Sequence, residues 1–231
     1  MGTASRQGDG TNLADAAAYF VSETGRTAAA VVDMIGHSRL APVWAERCAT
    51  TAAIVGAQDG QHAGLLAAAT LVRDVGRGPE PVPNGVAVLA VTGEEYMQIT
   101  WLGDCVAYSW DGVRLRLMTT PETVGEFLRY NEEADDDGRP VRHANWVLQT
   151  MRRLTPYYIA MAEVPVGHTL ILGSDGVADQ VDHAVLEELA REHHARPEPD
   201  PQALAEAIVA AAERRGQRDL DDVTALVMIP A

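Results

Sequence analysis

Short apolar runs joined by hairpin turns come in blocks along this chain, and helical stretches fall between the blocks instead of after every strand. AAAYFVS and TAAAVVDMI flank the turn ETGR. VAVLAVT, YMQITWL, VAYSW and VRLRLM then follow in series, the last two joined by Asp111-Gly112, a strong two-residue turn signal. Strands joined by so few residues can pair only antiparallel, because a parallel pair needs a long crossover. The block pattern therefore predicts an α+β fold with antiparallel sheets and excludes a doubly wound parallel sheet.

The elements between and after these blocks are readable from their periodicity. Residues 40 to 75 are Ala-rich; Ala41, Trp44, Ala45 and Cys48 share one helical face, and Leu65, Ala68, Ala69 and Val72 share another. Gly56 and Asp59-Gly60 mark a break, which predicts two helices. In YMQITWL, Met97, Ile99 and Trp101 point one way. TLILGSD reads as a buried strand, and DHAVLEELAREHH as a helix with Val185, Leu186 and Leu189 inward. Asp200 caps a further helix with Pro201 in its first turn and Leu204, Ile208 and Ala212 on its inner face, ended by Gly216. VTALVMI closes the chain as a strand. Residues 1–12 are polar and Gly-rich and predict a loose lead-in; 13–231 form a single domain. Within it, 121–146, with the run EEADDDG, read as a lid or excursion.

Aromatic residues make up only 5%, so Ala, Val and Leu must fill the interior. With 18 basic and 33 acidic residues the formal charge is −15, which repels phosphate backbones and excludes a general nucleic-acid binder. Cys48 and Cys105 have no CxxC spacing and predict reduced, buried thiols. No apolar run is long enough to span a bilayer, and no signal-peptide core follows Arg6; a cytoplasmic protein without membrane contact is expected.

Four acidic motifs stand at strand ends: AVVDMIGHS around Asp33, WLGDCVAY around Asp104, LILGSDGVAD around Asp175, and DLDDVTALVMI around Asp221 and Asp222. A carboxylate there sits on rigid backbone at the rim of a core. Several converging on one rim can hold hard divalent cations, which prefer oxygen ligands. Taken singly, each Asp-Gly is ordinary turn chemistry.

Together these segments resemble the metal-dependent Ser/Thr protein phosphatases of the protein phosphatase 2C family, in a divergent bacterial form. GSDGVADQV resembles the family's SDG-x-x-D, WLGDCVAYSWDG its N-x-GDSRAY block, and DDVTALVMI its closing D-N-I/V-T strand, with Asp222 where Asn is usual. AVVDMIGHS resembles V-A-DG-x-GGH, and NLADAAAY the opening N-E-D-A, so the likeness spans roughly residues 5 to 229. The resemblance implies a four-layer αββα sandwich of two antiparallel sheets flanked by helix pairs, with two or three Mn²⁺ or Mg²⁺ ions at one end. Asp33 would bridge two ions, joined by the Met34 carbonyl; Asp175 and Asp221 would complete one site and Asp15 the other; Asp104 would help hold a third. Asp33, Asp175 and Asp221 are then the catalytic set, the reaction being hydrolysis of phosphoserine or phosphothreonine by a metal-activated water. The implied partner is a phosphorylated protein, opposite a Ser/Thr kinase. Departures are Ala14 in place of the Glu of N-E-D, Met34 in place of Gly with a side chain expected to crowd the cleft, Glu122 where relatives carry His, and no counterpart to the phosphate-gripping Arg unless Arg6 folds back. They keep open a pseudophosphatase binding module on the same fold, and a metal-dependent phosphatase of small metabolites. His37 stands near the implied cleft as a general-acid candidate, with a loop role equally open; for His143 packing is the expected role.

Overall fold

The computed structural model describes residues 1–36, 38–73, 82–131, 146–213 and 220–230. His37, His143, Gly216, the DDDG tip and most of the expected lid lie outside them. Hairpin pairing builds the first sheet from the middle outward. β2 (Asp15–Val21) and β3 (Thr27–Met34) pair antiparallel across a turn in which Gly25 takes a φ of 82° and Arg26 accepts at its carbonyl from Ser22 N. β4 (Gly85–Thr92), β5 (Tyr96–Leu102) and β8 (Ala160–Pro165) extend it in the order β2-β3-β4-β5-β8. The other sheet runs β1-β10-β9-β6-β7, built from β1 (Gly2–Arg6), β6 (Val106–Trp110), β7 (Leu115–Leu117), β9 (Thr169–Gly173) and β10 (Val223–Met228). Every strand pair is antiparallel.

The α+β expectation and its four layers hold. Helices α1 (Ala41–Asp59) and α2 (Gln61–Arg73) cover the β2-β3-β4-β5-β8 sheet. On the other side, α5 (His183–His194) lies against β7, and α6 (Pro201–Ala210) against β1 and β10. The two shorter helices are α3 (Val124–Tyr130) and α4 (Asp175–Gln180). β9 shows why its sequence is apolar throughout: Leu170 and Leu172 join the core between the sheets, while Ile171 joins the core beneath α5 and α6. A strand covered on both faces has no polar side to show.

Three expectations need correction. Residues 1–12 are not a loose lead-in over their whole length, because Gly2–Arg6 pairs with β10 from Gly2↔Val227 to Arg6↔Val223. Its polar sequence suits an edge strand whose stability comes from the apolar neighbour, and Thr224 Oγ1 donates to Ser5 Oγ at 2.8 Å. Gly56 is not a helix break; it lies inside α1, where Gly64 of α2 comes so close that a Cβ there would stand 2.8 Å from Gly56 Cα. The break falls at Gly60 alone, with a φ of 98° that glycine adopts without strain. Val185 does not face inward but is exposed, so α5 packs through Leu186 and Ala190, with Leu189 half-buried.

Candidate active site: a carboxylate cleft at one end of the sandwich

Antiparallel pairing decides where the aspartates meet. Asp15 opens β2 directly opposite Asp33 at the end of β3, and Asp33 in turn faces Val86 on β4. Ala87 pairs with Leu102, so the turn that follows, Gly103-Asp104, lies beside Val86 and Asp33. In the second sheet Gly173 at the end of β9 pairs with both Val106 and Ala225, which brings Asp175 beside the start of β10 and thus Asp221 and Asp222. The end of one strand and the start of its antiparallel neighbour share one rim, and all the acidic motifs occupy it.

Two glycines allow the elements to close. Gly103 turns with a φ of 80°, and a Cβ on it would run into the Val86 side chain. Gly176, in the first turn of α4, lies so close to β10 that a Cβ would land on the Asp222 carbonyl oxygen. The Gly of the SDG motif is thus a packing requirement as well as a turn residue.

The rim encloses a cleft of about 270 Å³ lined by Asp33, Asp104, Asp175, Asp221 and Asp222 on its acidic side, with Ile35, Val86 and Val147 supplying apolar wall. Asp15 lies buried just behind Asp33. Of the sequence-derived candidates, Asp33, Met34, Asp104, Asp175 and Asp221 line the cleft, and Asp15 is buried behind it, paired with Asp33. Met34 does not crowd it: its side chain is 1% exposed and tucked against Gly85, where a Cβ would stand 3.0 Å from the sulfur. Arg6 does not fold back; its Nη2 donates to the Ala212 carbonyl at 2.9 Å. Glu122 is structural, accepting from Gly103 N at 3.0 Å.

Crowding of like charges in a desolvated place governs the electrostatics. Burial, then the facing carboxylates of Asp15, Asp175, Asp104 and Asp221, push Asp33 well above its ordinary 3.8. Burial, then Asp104, Asp221, Asp15 and Asp179, do the same to Asp175. Asp104 rises to about 6, mainly through burial, against a hydrogen bond from its own backbone. Asp15 rises to about 7: burial dominates, the Ser174 hydroxyl bond opposes it, and Asp222 adds repulsion. Asp15 Oδ2 is buried without a hydrogen-bond partner among the described residues, a costly state for an isolated carboxylate oxygen.

Among the described residues no three His, Cys, Asp or Glu side chains stand together as a ready-made ligand cage. The carboxylates share one cleft and raise one another's pKa without closing to cage spacing, as like charges facing each other would. In donor type and charge the set fits hard divalent cations, and the Oδ2 of Asp15 has no hydrogen-bond partner among the described residues.

Residues 135–229 match the family model described as Stage II sporulation protein E (SpoIIE). Solved structures cover nearly the whole chain. The S. agalactiae serine/threonine phosphatase superposes with a TM-score of 0.81 at 15% identity, over 99% of this chain and 98% of its own. The chain shares the fold of this phosphatase. Two further likenesses are to the serine/threonine phosphatase Stp1 from Staphylococcus aureus (TM-score 0.76, 14% identity, 97% and 92% covered) and to the PPM Ser-Thr phosphatase MsPP from Mycobacterium smegmatis, solved with cacodylate (0.72, 21%, 99% and 97%). At these identities the likeness establishes the fold of the chain. No curated protein sequence matches it. No helix among the described residues is long and apolar enough to cross a membrane.

Asp222 was visible in the sequence only as a departure from the family's Asn, and Ser174 and the apolar wall left no signal at all. The doublet Asp221-Asp222 directly before a buried strand was the available clue.

Proposed function

We propose that this chain is a protein phosphatase 2C-type enzyme, a Mn²⁺- or Mg²⁺-dependent phosphoprotein phosphatase acting on phosphoserine and phosphothreonine, opposite a Ser/Thr kinase. The observation that carries the reading is a buried oxygen on Asp15, unpartnered among the described residues, behind a cleft whose acidic side has five carboxylates. Asp33 faces Asp15 across the β2–β3 pair and lines the cleft with Asp175 and Asp221; it would share two cations, Asp15 and the Met34 carbonyl would serve one, Asp175 and Asp221 the other, and Asp104 a further ion. Bound divalent cations would supply charge neutralisation for phosphoryl oxygens and a lowered pKa for the attacking water. The chain's own residues hold and space the ligand oxygens, and Ile35, Val86 and Val147 keep one wall dry. Purified protein should release phosphate from a phosphopeptide with Mn²⁺, and lose that turnover with chelator or in Asp175→Asn. Absence of turnover at saturating Mn²⁺ defeats the reading.

A second reading is a binding module without turnover. It is favoured by the commitment of Arg6 to Ala212, which takes that guanidinium away from phosphate. Calorimetric titration separates the two, because a module that has abandoned catalysis should bind one Mn²⁺ weakly or none.

A further inference from the structure

Asp222 is 2% exposed. Its Oδ1 accepts from Gly8 N at 2.8 Å and its Oδ2 from Ala14 N at 2.6 Å, so one side chain from the start of β10 ties down both ends of the segment that leads into β2. Ala14 is fixed on its other side as well, its carbonyl accepting from Met34 N at 3.0 Å. The very next residue is Asp15. Gly8 is held against the chain at Leu220 and Asp221 so closely that no Cβ would fit, and Asp9 N donates to Leu220 O at 2.8 Å. Ala14 and Asp222 both line the cleft. Position 14 offers no charge there, and the charge sits instead on Asp222, one hydrogen bond away.

We propose that Asp222 is a positioning residue of the cleft: its two oxygens hold the segment that delivers Asp15, and its charge stands in for the one absent at Ala14. This rests on the metal-dependent reading above. A carboxylate accepts two backbone N–H groups at once, whereas Asn turns an NH₂ toward one of them. An Asn at 222 would therefore need a carboxylate nearby to restore the charge, and position 14 is where one would reach the cleft.

The test uses the full chain as wild type, Asp222→Asn, Ala14→Glu and the Ala14→Glu/Asp222→Asn double variant. Two readouts are taken: amide hydrogen exchange of Gly8 and Ala14 in metal-free protein, and calorimetric Mn²⁺ titration. In Asp222→Asn, exchange at one of the two amides should accelerate at least about tenfold, as loss of a charge-assisted hydrogen bond implies. Its Mn²⁺ affinity should fall about 10- to 100-fold, the usual effect of losing a group that orients a ligand. The double variant should recover the affinity while the amide stays fast. Ala14→Glu alone keeps both hydrogen bonds and should bind Mn²⁺ more tightly than wild type, which tests the charge argument even where Asp222→Asn does not fold. Unchanged amide exchange in Asp222→Asn overturns the positioning role. Fast exchange with unchanged Mn²⁺ affinity, no recovery in the double variant, or no gain in Ala14→Glu overturns the charge role. Wild-type protein that binds no Mn²⁺ defeats the metal-dependent reading itself, and the exchange arm still decides whether Asp222 holds the segment.

Discussion

Holding Asp15 ionised in the folded protein should make stability fall as pH rises, and Asp15→Asn removes that contribution. The carboxyl has an ordinary value of 3.8 and sits at about 7 in the fold, raised chiefly by burial. Between those values the folded state keeps a proton that the unfolded chain has released. Stability from this group is therefore complete below the unfolded value and is lost as pH climbs through the folded one. A displacement from 3.8 to about 7 corresponds to about 4 kcal/mol. Chelator-treated wild type and Asp15→Asn should be unfolded in guanidinium at a series of pH values from about 4 to about 8. Groups away from the cleft act nearly equally in both proteins, while Asp15→Asn also relieves the repulsion that Asp15 exerts on Asp33 and Asp175; both effects have the same sign, so the difference between the two curves should shift by several kcal/mol against wild type over that window. Curves that stay parallel would refute the claim that Asp15 is desolvated and repelled behind the cleft. Mn²⁺ should flatten the wild-type curve, because a ligand at about a hundred times its Kd adds about 2.7 kcal/mol to the folded state. It should do less for the variant.

Other perturbations probe the frame around the cleft. Gly103→Ala places a Cβ at a φ of 80° and against Val86; a loss of more than about 2 kcal/mol in denaturant unfolding is expected. Asp200 accepts from Gln202 N at 2.9 Å at the start of α6, and Asp200→Ala should cost about 1 kcal/mol in the same measurement. Burial lifts the Cys48 thiol to about 12 and holds Cys105 well above its ordinary range. Both should resist a thiol reagent in native protein and react together on unfolding, and a fast native reaction at either position would contradict its burial.

What could be read from the sequence was what local chemistry determines. The turn at Gly25, the Asp111-Gly112 hairpin, whose Asp111 Oδ1 accepts from Val113 N and Arg114 N, and the Asp200 cap each follow from a few adjacent residues. β8 did not announce itself: Ala160, Ala162 and Val164 face inward, but two small alanines give a faint alternation, and the strand exists because β5 offers an edge. β1 was hidden for the same reason, its polar residues being recruited by β10. Gly56 misled because a glycine at a helix crossing and a glycine at a helix end look alike in sequence, and only the approach of Gly64 separates them. The carboxylates were the reverse case. Their convergence is a long-range property, yet it was legible, since each stood at the end or start of a strand and antiparallel pairing leaves few places for such ends to go. Hydrogen bonds from Gly8 and Ala14 to Asp222 cross more than two hundred residues. No local pattern encodes such a tie, which is why the residue holding the segment behind the cleft was the one the motifs could not assign.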